Sequence, residues 1–153
     1  MKKPIIIPFI ITLCTGITLF SGCEPEEVLD TSSKDAFITS IANTWAIDEN
    51  SQVEINDQDI TEVLMGFEMT INEDLTFTTN SDQLTIEEFP WPTSGSFALN
   101  DELTVLTRDD GLVINLDLSE DESELLIVFE ADENTGGRTL GIRGGWRCHL
   151  SRR

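Results

Sequence analysis

Apolar and polar residues alternate with a period of two along most of the chain after residue 44, which is the pattern of half-buried β-strands. The alternation is clearest in GFEMTIN, residues 66–72, which resumes at residue 75 after two acids, and in LTVLTRDDGLVINLDLS, residues 103–119. Each stretch predicts a β-hairpin. In the second hairpin, Asp110 and Gly111 suit a turn that requires positive φ angles.

Shorter alternating runs predict the remaining strands. These runs are TWAID (44–48), VEIN (53–56), GSFAL (95–99), ELLIVFEA (124–131), RTLGI (138–142) and GWRCHL (145–150). The total is about eight to ten strands, without the spacing of β-α-β units. Short antiparallel strands with one apolar face close into a barrel or stack as a sandwich to bury that face and their edges.

A short helix is predicted before the first strand. In SSKDAFITSIANTW, residues 32–45, Ser33 is the predicted N-cap, and the apolar residues fall at helical spacing. Those apolar residues are Phe37, Ile38, Ile41 and Ala42. The predicted fold class is therefore all-β, a small antiparallel up-and-down β-barrel preceded by a short N-terminal helix.

The first 22 residues have the layout of a secretory signal: Lys2 and Lys3, an apolar run, and the small residues Ser21 and Gly22. The ending FSGC resembles the lipobox of bacterial lipoproteins, which implies that Cys23 receives a diacylglycerol and becomes the first mature residue. The lipobox usually has Leu where this chain has Phe20. The alternative is an uncleaved membrane anchor, since the apolar run approaches the length that spans a bilayer.

Residues 23–34, CEPEEVLDTSSK, have few large apolar side chains and are predicted to form an acidic flexible tether, which leaves residues 35–153 as one barrel domain. Acids directly after a lipidated cysteine resemble the signal that exports some lipoproteins to the outer face of the outer membrane. The alternative is a solvated, negatively charged spacer. The predicted location is the cell envelope, with the domain anchored to the outer membrane through lipid.

The mature chain is strongly acidic. Removing residues 1–22 takes away two lysines and no acid, which leaves seven basic and 29 acidic side chains and a net charge of −22. Such a charge disfavours nucleic acid and anionic lipid headgroups as partners but permits cations and basic surfaces. Five of the seven bases are arginines in the last 16 residues, so the terminal strand is expected to pair with acidic neighbours; a basic binding patch is the alternative.

The residues that usually perform catalysis are scarce. The mature chain has one histidine, no tyrosine and, beyond Cys23, one cysteine, so it is predicted to lack an internal disulfide and not to be an enzyme. Cys148 and His149 are adjacent on a predicted strand and point to opposite faces, Cys148 inward and His149 to solvent. No cofactor or metal is expected.

Carboxylates are the remaining chemical resource. Glu87 and Glu88 precede FPWP, Asp109 and Asp110 lie in a turn, and DLSEDESE, residues 117–124, is dense in acids. Paired acids serve glycoside hydrolysis when strands hold them across a cleft, and acidic loops can bind calcium. The preferred interpretation is that these are solvated turn acids.

The aromatic side chains admit two interpretations. They could line a ligand cavity within the barrel or fill the barrel as its core. The candidate ligand-binding residues are Trp45, Phe67, Phe77, Phe89, Trp91 and Trp146, and Phe97 and Phe129 belong to the same aromatic set. In FPWP the two prolines prevent regular strand pairing, which predicts a loop that carries Phe89 and Trp91 at the barrel mouth.

From NTWAID to LGIRGGWRCHL, the order of these segments resembles the lipocalin-like lipoproteins of Gram-negative bacteria. Trp45 corresponds to the tryptophan of the first lipocalin strand, although Asn43 replaces the usual glycine of Gly-x-Trp. The resemblance implies a late arginine across this tryptophan, either Arg143 or Arg147. It also implies a lipid-anchored barrel, here expected to bind a small apolar or amphipathic ligand. The alternative is a structural or adhesive surface protein with a filled core, and the oligomeric state stays open.

Overall fold

The computed structural model describes residues 31–84, 89–132 and 143–153. It contains two α-helices, α1 (Thr31–Ile41) and α2 (Thr61–Leu64), and a single 3₁₀ turn at Ser81–Gln83 within these residues. The strands of the described residues are β1 (Thr44–Ala46), β2 (Gln52–Ile55), β3 (Gln58–Asp59), β4 (Glu68–Ile71), β5 (Thr76–Thr79), β6 (Ser94–Leu99), β7 (Val105–Arg108), β8 (Val113–Leu118), β9 (Glu124–Ala131) and β10 (Gly144–Arg152).

Eight of these strands form a closed antiparallel barrel in the order β1, β4, β5, β6, β7, β8, β9 and β10, because β10 also pairs with β1. All pairs are antiparallel, and from β4 onward each strand is next to the one that follows it in sequence. The hairpin β2–β3 extends the sheet beside β10. The predicted all-β, up-and-down barrel with a preceding helix is confirmed.

Strands β1 and β2 follow the same edge of β10, one after the other. Ala46 pairs with Ser151 and Gln52 pairs with His149. The residues between Ala46 and Gln52 therefore form a loop that leaves β10 and returns to the same strand. The Ser51 hydroxyl donates to the Ala46 carbonyl, and the Ser151 hydroxyl donates to Asp48 Oδ1 at 3.0 Å. These bonds satisfy polar groups that the interrupted ladder would otherwise leave unpaired.

Helix α1 closes one end of the barrel, which we call the helix-capped end. The turns between β4 and β5, β6 and β7, and β8 and β9 lie at this end. Ser40 of α1 donates to Glu122 Oε1 at 2.7 Å, and Lys34 donates to the Leu99 carbonyl at 3.2 Å. Apolar side chains of the helix and the turns pack on the core beneath it: Phe37, Ile38, Ile41, Leu75, Leu103 and Leu118.

The three turns at the helix-capped end share a conformation. Leu75, Leu103 and Glu122 have φ angles of 59°, 59° and 57°, in the left-handed region that leucine seldom adopts. In each turn the backbone N–H of this residue donates to the carbonyl three residues earlier. Both leucines pack against the core, so burial of the side chain compensates for the strained backbone.

The sequence misplaced some local boundaries. Helix α1 begins at Thr31, within the segment predicted as the tether, so Ser33 lies inside the helix and is not its N-cap. The two-residue strand β3 and the single turn of α2 were not predicted. The predicted strand RTLGI, residues 138–142, and the N-terminal signal lie outside the described residues.

The basic terminal strand closes the barrel, as its charge predicted. Arg152 Nη1 lies 3.3 Å from Glu122 Oε2, and Arg153 forms an ion pair with Glu68. Both pairs join the end of β10 to acids of the helix-capped end and of β4. In the part of the chain described, neither helix is long and apolar enough to cross a membrane.

Candidate functional site

The predicted aromatic residues are all buried, and most of them form one network of ring contacts at the end of the barrel opposite α1. We call this opposite end, formed by the turn at residues 109–111, residues 80–84 and 89–93 and the β2–β3 turn, the loop end. Phe77 stacks on Phe97 with ring centroids 4.5 Å apart, and Phe129 stacks on Trp146 at 5.7 Å. Gly95 leaves the space that the Phe77 ring occupies, because a Cβ at this position would lie 2.7 Å from that ring.

Residues 89–92, which we call the plug segment, connect the two stacked pairs. The Phe89 ring packs edge-on against Phe67 at 4.9 Å and Trp146 at 5.8 Å. The Trp91 ring contacts Phe77, Phe97 and Phe129 in the same edge-on manner, at 5.8, 6.2 and 5.7 Å. Such pairs add stabilisation beyond the apolar area that they bury.

The prediction that FPWP forms a loop is confirmed, because residues 89–92 belong to no strand. The loop nevertheless turns its rings inward: Phe89 is 4% exposed and Trp91 is 2% exposed. Pro90 and Pro92 cannot donate the hydrogen bonds of a regular strand, so the segment forms a loop. Burial of the Phe89 and Trp91 rings is more favourable than their exposure to solvent at the barrel mouth, so both rings point inward.

Trp45 lies apart from this network. It begins the barrel at the helix-capped end, where its Nε1 donates to the Ile41 carbonyl at 2.9 Å. Trp45 is completely buried, and this bond gives its indole N–H a hydrogen-bond acceptor. The same bond joins the last residue of α1 to β1. Trp45 therefore anchors the helix and lies away from the plug segment in the fold.

A residue that the sequence analysis did not propose, Arg108, is the only buried charged side chain among the described residues. It is the last residue of β7, and its position in the alternation points it into the barrel. Its Nε and Nη2 donate to the two carboxylate oxygens of Asp110 at 2.9 and 2.6 Å. A charge inside a protein is tolerated when it is paired in this bidentate way.

The remaining contacts of Arg108 are with the plug segment. Its Nη1 donates to the Pro90 carbonyl at 2.8 Å, and its Cζ lies 5.3 Å from the centroid of the Trp91 ring. The second distance is within the range of a cation–π interaction. Arg108 thus fixes the plug segment through one backbone carbonyl and one ring.

The resemblance implied a different arginine. Arg143 and Arg147, the two candidates for a residue across Trp45, are both exposed. Arg147 pairs in register with Glu54 and Val128, whereas the β10 residue opposite Trp45 is Arg152. The prediction for Arg143 and Arg147 was wrong because the alternation along β10 directs Arg147 outward and because Arg143 precedes the strand.

Cys148 and His149 point to opposite faces, as predicted. Cys148 is buried with Trp146 and Leu150, and burial raises the pKa of its thiol to about 12. A thiol with such a pKa stays protonated at neutral pH and is a weak nucleophile. His149 is partly exposed on the outer face, so the two side chains share no site.

Several carboxylates bind to hydroxyl and N–H groups of their own turns. The side chains of Thr61, Thr76 and Ser123 donate to Asp59, Asp74 and Asp121 respectively, and lower the pKa of each carboxyl. A backbone N–H, from Asn50, does the same for Asp48. Because the folded pKa lies below the unfolded value, these groups stabilise the fold above that value and lose the contribution as pH falls through the folded pKa.

The described carboxylates are not arranged as a metal site. Within the residues that the structure describes, no group of three or more His, Cys, Asp or Glu residues has an arrangement that could hold a metal ion. Asp109 and Asp110 diverge, since Asp109 accepts from the Ser96 N–H at 3.3 Å while Asp110 holds Arg108. Glu87 and Glu88 lie outside the described residues.

The outer surface has a cleft of about 310 Å³ where the β2–β3 turn meets β9 and β10. Glu54, Asp57, Glu130 and Arg147 line it, and the Glu130 carboxylate lies over Gly145. A second cleft of about 240 Å³ is lined by residues 59–63, from the end of β3 into α2. Both clefts lie on the outside of the barrel, and neither is lined by Arg108 or by the plug segment.

Comparisons of the chain with models of known protein families, with curated proteins and with solved structures found no match. The class that the structure defines is a small closed antiparallel barrel of eight strands, capped at one end by a helix and filled at the other by its own loop.

Proposed function

We propose that this protein is a lipid-anchored protein of the cell envelope whose filled barrel presents its loop end to another macromolecule. The observation that carries the proposal is the plug segment. Phe89 and Trp91 lie where a carried ligand would lie in an open barrel, and each contacts aromatic rings of the barrel wall or of the neighbouring strands. A filled interior favours recognition through the surface over transport of a small lipophilic molecule.

The direction of the barrel follows from the chain. Only seven residues, 24–30, separate Cys23 from the first residue of α1 at Thr31, a path of eight Cα-to-Cα steps. Fully extended, such a segment reaches about 28 Å, so an anchor at Cys23 holds the helix-capped end near the bilayer. The loop end then faces away from the membrane, which makes its turns the accessible surface for a partner.

The partner that this charge favours is basic. The chain carries a formal net charge of −20 before processing, and acidic turns surround the barrel. Long-range attraction of a basic macromolecule would increase its association rate and would weaken as salt is added. An anionic surface, including nucleic acid, would be repelled by the same field.

The filled interior is tested with purified residues 24–153 and native mass spectrometry. We expect the mass of the bare chain, with no adduct removed by organic extraction and no uptake from a panel of fatty acids and aliphatic lipophilic compounds. A reproducible adduct, or saturable uptake of any panel member, would contradict the filled barrel and favour the carrier function instead.

Anchoring is tested separately in cells that express the full chain. We expect the protein to incorporate labelled fatty acid and to remain with the membrane fraction, whereas Cys23→Ser abolishes both because it removes the sulfur that accepts the lipid. Cys14→Ser is the matched control and should change neither. Labelling that survives Cys23→Ser would show that the lipid is attached elsewhere.

A further inference from the structure

The plug segment is attached to the barrel interior through a small set of polar contacts. At its C-terminal end, the Thr79 hydroxyl donates to the Pro92 carbonyl at 2.8 Å, and the Thr79 N–H donates to the Thr93 carbonyl. Further in, the single polar contact found among the described residues is the bond from Arg108 Nη1 to the Pro90 carbonyl. The rest of the attachment is the packing of two rings.

These inner contacts define what occupies the site. The occupant supplies a flat aromatic ring within 5.3 Å of the Arg108 guanidinium carbon and, 2.8 Å from Nη1, a carbonyl oxygen that accepts a hydrogen bond. Around the ring are the edges or faces of Phe77, Phe97 and Phe129. An apolar enclosure with one oriented polar group is the usual composition of a small-molecule site.

Asp110 determines the charge of a suitable occupant. Its carboxylate already neutralises Arg108 through two hydrogen bonds, so a second carboxylate beside Nη1 would meet like charge in a poorly solvated place. A cation would meet the guanidinium itself. The site therefore suits a neutral molecule, as the Pro90 carbonyl is neutral.

A second buried group lies next to the plug segment. Ser81 is buried, and its Oγ has no hydrogen-bond partner. The Ser81 N–H donates to the Thr79 hydroxyl, the same hydroxyl that donates to the Pro92 carbonyl. A buried hydroxyl without a partner is uncommon and costs stability. The Ser81 hydroxyl is therefore a polar group beside the plug segment that forms no hydrogen bond with it.

We propose that the plug segment occupies a latent binding site for a neutral aromatic compound that carries a carbonyl group, with Arg108 as the hydrogen-bond donor to that carbonyl. This inference goes beyond the proposed function, which concerns the filled state and its outer surface. In the filled state the plug segment competes with the ligand. The apparent affinity then equals the affinity of the open site multiplied by the fraction of molecules in which the segment has left the site.

The test uses Trp91→Ala, which removes the ring that packs in the site and leaves Arg108 and Asp110 in place. Loss of the ring contacts also weakens the attachment of the plug segment, so that the ligand carbonyl can replace the Pro90 carbonyl at Arg108 Nη1. The probe is N-acetyltryptophanamide, a neutral indole with carbonyl groups, and binding is measured by isothermal titration calorimetry. We expect the variant to bind it at least about tenfold more tightly than the unmodified protein, because the competing ring is gone.

Three related probes examine the chemistry of the site. Against Trp91→Ala, 3-methylindole lacks the carbonyl, N-acetyltryptophan is an anion and tryptamine is a cation. Each is expected to bind at least about tenfold more weakly than N-acetyltryptophanamide, since each lacks the acceptor or adds a charge. The matched cavity control is Phe67→Ala, whose lost ring contacts Phe89; there the carbonyl should give no advantage.

Contact with Arg108 is followed by NMR of its guanidinium N–H groups. These resonances should shift when N-acetyltryptophanamide is added to Trp91→Ala and stay in place with 3-methylindole. If 3-methylindole binds as tightly as the amide, or the Arg108 resonances do not respond, the space is only an apolar cavity and the proposal is overturned.

Folding of the variant is checked first by thermal unfolding. If Trp91→Ala is partly unfolded, N-acetyltryptophanamide should raise its melting temperature in a concentration-dependent way, because a ligand that binds only the folded state stabilises it. Trp91→Leu, which keeps more of the apolar volume, is the second variant. No stabilisation of either variant by the amide would also overturn the proposal, whatever the result for the lipophilic panel.

Discussion

Replacing Asp110 with alanine is expected to lower the free energy of unfolding by about 3–5 kcal/mol, the range for removing one partner of a buried ion pair. The Arg108 side chain is 0% exposed, whereas the Asp110 side chain is 26% exposed. After the carboxylate is removed, the Arg108 guanidinium is therefore a buried charge without access to water. It would keep one strong acceptor, the Pro90 carbonyl. Urea denaturation of residues 24–153, followed by tryptophan fluorescence, measures the change.

Two further variants separate the buried charge from the turn. Arg108→Met removes the cation itself and should cost less than Asp110→Ala, while the double variant should cost clearly less than the sum of the two single changes, since the Arg108–Asp110 ion pair can be lost only once. Asp109→Ala is the matched control, because Asp109 lies in the same turn but accepts from the Ser96 N–H and does not hold Arg108; its expected loss is about 1 kcal/mol or less. Equal losses of unfolding free energy for Asp109→Ala and Asp110→Ala would contradict the conclusion that the buried Arg108 depends on the Asp110 carboxylate.

The strands could be predicted because the alternation is regular. In β8, Ile114 and Leu116 are buried while Val113, Asn115 and Asp117 are exposed, and the sequence states this period directly. Residues Glu124 to Ala131 form β9 with the bounds that the pattern predicted. The need to pair the edges of short antiparallel strands predicted either a barrel or a sandwich, and the pairing of β10 with β1 in the structure closes the barrel.

Arg108 could not be predicted in the same way. Its position on the inner face of β7 follows from the alternation of Leu106 and Arg108, but a charged residue at the end of a strand usually marks the start of a turn. What holds it inside is the Pro90 carbonyl, 18 residues earlier in the chain. The signal in the sequence was an inward-facing arginine followed two residues later by an aspartate, which can pair with it in a bidentate geometry.

The local misses have similar causes. Strand β3 and helix α2 consist of two and four residues, too few to show a period. The side chain of Asp59 accepts hydrogen bonds from the N–H and hydroxyl of Thr61, which ends β3 and begins α2. Such short-range side-chain bonds depend on the conformation that the surrounding barrel imposes.

The second large effect is expected at the helix-capped end, where Ile41→Ala should cost about 3 kcal/mol of unfolding free energy. Ile41 is 0% exposed and is the one residue of α1 in the buried core cluster. The substitution leaves its carbonyl in place for Trp45 Nε1, so the loss reports on packing beneath the helix. Chemical denaturation gives the free energy, and hydrogen exchange of α1 shows whether the helix opens separately from the barrel.

Asp101→Asn is the matched control for Ile41→Ala, because it removes the charge from one polar attachment of α1 and leaves the bonds from Ser40 to Glu122 and from Lys34 to the Leu99 carbonyl in place. The ion pair with Lys34 spans 3.2 Å, but the Asp101 side chain is 89% exposed, so its loss should cost about 1 kcal/mol or less. If the two substitutions destabilise equally, α1 is held at its edge by charge. If Ile41→Ala is much the larger and speeds exchange throughout α1, the helix is held by its buried end. In that case the lipid anchor proposed at Cys23 would be connected to the barrel core through Ile41 and Trp45.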